Sequence, residues 1–144
     1  MVKTKEDVIK KFGEGFACSQ IVLSHISDKL EITKEEALKV AACFGGGMWH
    51  GETCGCVVGA LMALGIKYAT IKPNDTQKKD ELLALKAKFE EKFCEKNGSC
   101  ICKEILGYNL SVPNEMAKIQ EENLLMTKCP EVVLSACDIL EKMI

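Results

Sequence analysis

The chain has 144 residues, enough to bury a genuine hydrophobic core, and it reads as one domain over residues 1–144. Its formal net charge of -2, with 28% charged residues, excludes the basic footprint of a nucleic-acid binder, and no apolar run reaches the length of a membrane span. Nine cysteines is a high count, but it is odd and the apolar content already suffices for a core, so metal binding, redox work or buried thiols are expected rather than a disulfide framework.

The opening Met1 to Asp7 has no apolar h-region, so no secretory signal is read and a cytoplasmic location is expected. Thr4 can N-cap a first helix, with Asp7 three residues on and Val8, Ile9 and Phe12 on its apolar side; Gly13 to Gly15 close it. A second helix is predicted from about Phe16 to Lys29, where Cys18, Val22 and His25 repeat at helical spacing and Cys18 falls in the first turn. Thr33 with Glu36 forms a capping box for a third helix, which runs to a glycine cluster.

The stretch from Cys43 to Gly65 holds three of the nine cysteines, the only tryptophan and seven of the eleven glycines, so it is the centre of the reading. A glycine-rich loop can take positive φ and lie close to another group. Here it delivers Cys54 to the first turn of a helix capped by Glu52 or Thr53 and running to about Tyr68. That helix is apolar all round and should be the buried centre of the bundle, with Gly59, Ala60, Ala63 and Gly65 allowing another helix to cross closely.

Lys72 to Asp75 is a linker and cap for a long helix to Lys96, with Leu82, Leu85, Phe89 and Phe93 on one side and Gly98 as C-cap. Ser99 is expected to cap a short helix carrying Cys100 and Cys102, closed by Gly107. Residues 108–113 read as loop and Asn114 to Met126 as a weaker helix. Cys129-Pro130 opens the last helix, with Pro130 in the first helical position and Val133, Cys137, Leu140 and Met143 inward. No alternating strand pattern is present. The expected fold is all-α, a bundle of about six to seven helices around a buried central one.

Four cysteines, Cys18, Cys54, Cys102 and Cys129, each fall at a cap or in the first turn of a predicted helix. The orphan N–H groups and partial positive charge there favour thiolate over thiol and would offset the repulsion between gathered sulfurs. Such a set can ligate an iron–sulfur cluster or zinc, or two of its members can cycle as a dithiol; alternatively, each is a small buried hydrophobe. Cys137 reads as inert core, Cys94 as half-buried filler, and Cys43 ends a helix rather than starting one. Cys56 and Cys100 lie two residues from favoured thiols and could be auxiliary ligands or resolving thiols, but packing is the favoured reading.

His50 could supply a proton or a ligand, yet an exposed loop histidine is the commoner case; His25 should pack with one hydrogen bond. Met48 and Trp49 would shield the site or join the core. Gly46 to Thr53 nearly matches a P-loop, but Glu52 stands at the lysine position and no strand precedes it, so nucleotide binding is rejected. There is no C-x-x-C-H, hence no covalent haem site.

Ala17-Cys18-Ser19-Gln20, Phe44 to Met48, Gly51 to Gly55 with Gly59 to Gly65, Cys102 to Gly107 and the Cys129 helix together resemble a family of redox-active proteins of similar length, named for four cysteines around a CGAxxG motif. The chain departs from the motif at Cys56, where the family has alanine. The resemblance implies that the family's four cysteines correspond to Cys18, Cys54, Cys102 and Cys129. The family is also similar to part of a dimeric multihaem cytochrome with an iron–sulfur centre, of which only the cluster could transfer to this chain.

The leading functional expectation is electron transfer or redox sensing through an iron–sulfur centre on those four thiols, which would also be the metal ligands if the metal were zinc. The second is a dithiol/disulfide oxidoreductase in which Cys54 attacks and Cys102 or Cys56 resolves. The third is a zinc-stapled, or simply thiol-packed, helical interaction module. The expected partners are a redox protein and a second copy of the chain, with no nucleic acid and no membrane.

Overall fold

The computed structural model describes residues 1–144 and is all-α. In chain order the helices are α1 (Lys5–Gly13), α2 (Cys18–Ile26), α3 (Lys34–Val40), α4 (Gly55–Tyr68), α5 (Thr76–Asn97), α6 (Cys102–Leu106), α7 (Pro113–Glu121), α8 (Leu124–Thr127) and α9 (Cys129–Glu141). Nine helices rather than six or seven appear, because short pieces count separately. No helix is long and apolar enough to cross a membrane.

Local chemistry sets most boundaries. Thr4 and Thr33 accept hydrogen bonds from Asp7 and Glu36 backbone N–H groups, and both acidic side chains reach back to complete capping boxes. Gln20 does the same work for α2, its Oε1 accepting from the Ala17 N–H at 2.8 Å. Asp75 caps α5, and Gly98, at φ 86°, ends it. The predicted helix over 114–126 is instead two, since Asn123 at φ 55° takes a left-handed turn between α7 and α8.

The most extensive packing is between α2 and α4, and α9 lies against α1, α2, α4 and α5. The crossing of α2 over α4 depends on Gly59: a Cβ there would stand 2.7 Å from the Ser19 carbonyl oxygen and 3.3 Å from Val22 Cβ. Val22, Val57, Ala60 and Ala63 fill the seam and are fully buried. The apolar girdle of α4 is not buried throughout, however; Ile66, near its C-terminal end, is exposed. Likewise only Phe89 and Phe93 of α5 are buried, their rings stacked at 5.9 Å, while Leu82 and Leu85 are half-covered. Each buried phenylalanine contributes about 1.5–3 kcal/mol.

Side-chain hydrogen bonds lock the helices in place. Ser19 Oγ donates to the Ala41 carbonyl and Gln20 Nε2 to the Leu38 carbonyl, both at 2.8 Å, tying α2 to α3. Asn97 Nδ2 donates to Ser135 Oγ at 2.9 Å, tying the end of α5 to α9. His25 makes two bonds rather than one: its Nδ1 accepts from the Val2 N–H at 3.1 Å, and its Nε2 pairs with Glu141 Oε1 at 2.6 Å. A second, smaller apolar cluster of Cys102, Leu106 and Ile119 packs α6 against α7 beside the main core. The space between these two clusters is where the thiols meet.

Candidate thiol site

Cys18, Cys54, Cys102 and Cys129 all line one cavity of about 390 Å³, and Cys56 lines it with them. Each of the four expected residues comes from the start of a different helix. Cys18 is the first residue of α2, Cys54 the cap of α4, Cys102 the first residue of α6 and Cys129 the first residue of α9. The rest of the wall is apolar, including Phe12, Phe16, Leu106, Met116 and Leu125. None of its nineteen residues is charged or a histidine. The cavity falls within the about 300–1,000 Å³ usual for a ligand pocket.

Two devices bring the thiols together. The first is an antiparallel bridge between Thr53 and Ile101. The Cys54 N–H donates to the Cys100 carbonyl at 2.8 Å, and the Cys102 N–H donates to the Glu52 carbonyl at 2.6 Å. This clip fastens the start of α4 to the start of α6. It also corrects two boundaries: neither Glu52 nor Thr53 caps α4, and Cys100 lies before α6 rather than on it. Backbone pairing has taken the groups that capping would have used.

The second device is close approach at glycine. A Cβ on Gly55 would run into Cys18 Sγ and stand 2.8 Å from the Phe44 carbonyl oxygen, so the missing side chain is the space the sulfur occupies. A Cβ on Gly47, which sits at φ 62°, would likewise run into the Glu52 backbone and stand 2.8 Å from Cys102 Cβ. Left-handed geometry continues through Met48 (φ 62°) and Trp49 (φ 58°), both exposed. Non-glycine residues held in this region cost of order 1–2 kcal/mol each, and such strain clusters at functional sites. Trp49 also lines the cavity, so it forms part of the rim rather than the core.

The thiols do not ionise alike. Hydrogen bonds from the Cys54 and Cys56 thiols hold Cys18 well below the usual cysteine range, with further help from backbone N–H groups of Gly46 and Ser19. Donating to that sulfur pushes Cys54 well above the range, and contacts with Cys18 and Cys54 do the same to Cys56. Burial pushes Cys102 up to about 12, reinforced by the charge of Cys18. Burial and the charges of Cys18 and Cys102 push Cys129 up to about 12. A helix start alone therefore does not make each of these a thiolate. Desolvation outweighs it at Cys102, where α6 is little more than one turn, and at Cys129.

The remaining candidates lie elsewhere. His50 is exposed and does not line the cavity, and Cys43 is exposed. Cys137 is buried in the main core. Cys100 Sγ donates to the Glu90 carbonyl at 3.6 Å on the flank of α5, away from the cavity wall. Cys56 is the one cavity thiol for which packing was the expected role. No three His, Cys, Asp or Glu side chains converge closely enough, as the chain stands, to hold a single metal ion.

The family model described as "Putative redox-active protein (C_GCAxxG_C_C)" matches residues 16–143. No curated protein and no solved structure matches the chain.

Proposed function

The chain belongs to this family of redox-active proteins, and from that premise we propose that Cys18, Cys54, Cys102 and Cys129 ligate one iron–sulfur cluster serving electron transfer or redox sensing. The observation that supports this reading is the convergence of four thiols, from four separate helix starts, on one cavity without a charged side chain. A dithiol enzyme needs two thiols; four from four helices suit a shared group. The donor set also fits in kind, since soft thiolates suit iron–sulfur or zinc and no hard oxygen ligand lines the space. Ligation by all four requires the sulfurs to close in on the group by side-chain rotation.

When bound, such a cluster supplies reversible one-electron chemistry. The chain's own residues would do the rest. The four thiolates hold the group, and Phe12, Phe16, Met116 and Leu125 keep water from it. Backbone N–H groups of Gly46 and Ser19 donate to the Cys18 sulfur, the kind of contact that tunes a ligand's basicity. Trp49, exposed at the rim, marks the side from which a redox partner protein would approach.

The contact of Cys18 with Cys54 and Cys56 favours a second reading, dithiol/disulfide exchange. In it Cys54, the attacking thiol expected from sequence, works with its cavity neighbours Cys18 and Cys56, one of which resolves.

Protein made and purified without oxygen separates the readings. Iron and acid-labile sulfide are expected together, and both should be lost from an aerobic preparation. Stoichiometric zinc without iron would instead establish the stapled module. No metal, with reversible oxidation of one thiol pair, would establish the dithiol enzyme.

A further inference from the structure

Two cysteines outside the cavity also meet. Cys94 stands in the last turn of α5, and Gly98, left-handed at φ 86°, turns the chain back so that Cys100 returns along the same helix. Cys100 Sγ donates to the carbonyl of Glu90 at 3.6 Å. Glu90 is one helical turn before Cys94, and a helical side chain leans over the turn that precedes it. The Cys100 sulfur therefore lies against the turn of α5 over which the Cys94 side chain leans, which brings the two thiols side by side. Both residues are only partly buried, so a small reagent can reach them.

We infer that Cys94 and Cys100 are a second redox site, a dithiol that closes to an intramolecular disulfide by exchange with a small-molecule disulfide such as oxidised glutathione. Cys94 begins the exchange, since the S–H of Cys100 is engaged by the Glu90 carbonyl. The Cys94 thiolate attacks one sulfur of the reagent, forming a mixed disulfide and releasing one glutathione thiolate, which takes up a proton. Cys100 then loses its proton and attacks the Cys94 sulfur, releasing the second glutathione. Two protein thiols are oxidised, one reagent disulfide is reduced to two thiols, and no other oxidant is required.

The position gives the bond a consequence. The carbonyl of Cys100 accepts the Cys54 N–H, and the next residue, Ile101, pairs with Thr53. A Cys94–Cys100 disulfide therefore anchors to α5 the same clip that sets the starts of α4 and α6.

The test treats the full-length chain with oxidised glutathione, blocks free thiols by alkylation and digests with trypsin without reduction. Cleavage after Lys92, Lys96 and Lys103 yields peptides 93–96 and 97–103. The expected product is these two joined, with fragmentation placing the bridge on Cys100 rather than Cys102. It should vanish in Cys94→Ser and Cys100→Ser, while Cys100→Ser accumulates a glutathione adduct on Cys94 that nothing resolves. Far-ultraviolet circular dichroism confirms that each variant is folded. Recovery of both cysteines of the native chain as alkylated thiols or separate adducts, or a bridge to Cys102, would overturn the inference.

Discussion

Cysteine plays opposite parts within this chain, and the side chain's neighbours decide which. Cys18 gathers donated hydrogen bonds, whereas Cys137, on α9, sits in the main core. Burial pushes Cys137 up to about 12, aided by the charge of Glu141 and opposed by the amino group of Met1. A thiol whose folded value is raised contributes stability that is complete below its unfolded value, near 9, and is lost as pH climbs toward 12. Stability of the metal-free chain should therefore fall through that window, and Cys137 should account for about 1.4 kcal/mol per pH unit of the slope. Urea unfolding of the native chain and of Cys137→Ala at a series of pH values from 8 upward measures this. The variant should start less stable by about 1 kcal/mol from the small cavity, yet lose stability less steeply. Equal slopes would show that Cys137 ionises as freely folded as unfolded.

At the level of elements, the fold rests on α2 and α4 crossing where Gly59 has no side chain. Gly59→Leu drives a side chain into the Ser19 carbonyl and should cost roughly 1–3 kcal/mol, read as a lower melting temperature. Because α2 carries Cys18 and α4 carries Cys54 and Cys56, the same change should also reduce iron or thiol-redox content; a variant with a native melting temperature would mean that the crossing tolerates the bulk. This crossing was legible in sequence, since small residues four apart in a helix without a polar face have one ready explanation. So were the caps at Thr4 and Thr33 and the glycine stop at Gly98, where side chain or conformation acts within a few residues. The Thr53–Ile101 bridge was not, because a single pair far apart in sequence leaves no alternating pattern. Cys56 reads as packing in sequence because Cys54-Gly55-Cys56 lacks the two intervening residues of a C-x-x-C pair. Two residues apart on a helix, Cys54 and Cys56 would point to different sides; but Cys54 is a non-helical cap (φ -52°, ψ 133°), and both sulfurs reach Cys18. The break at Asn123 did carry a local signal, for asparagine tolerates the left-handed region better than most residues.

Across the whole molecule, nine cysteines sort into three settings: five around the cavity, two beside the end of α5, and Cys43 and Cys137 apart from both. The all-α fold places the first group by starting α2, α4, α6 and α9 at one region between the two apolar clusters. What the fold holds there is a set of soft thiol donors in an apolar wall, and the central claim is that its four helix-start members act as one unit. The most direct measurement is the iron and acid-labile sulfide content of single cysteine-to-serine variants purified without oxygen, each shown to be folded by circular dichroism. Cys18→Ser, Cys54→Ser, Cys102→Ser and Cys129→Ser should each lose most of both, while Cys94→Ser and Cys137→Ser keep the native content. Full iron and sulfide in Cys129→Ser, or their loss in Cys137→Ser, would contradict the account.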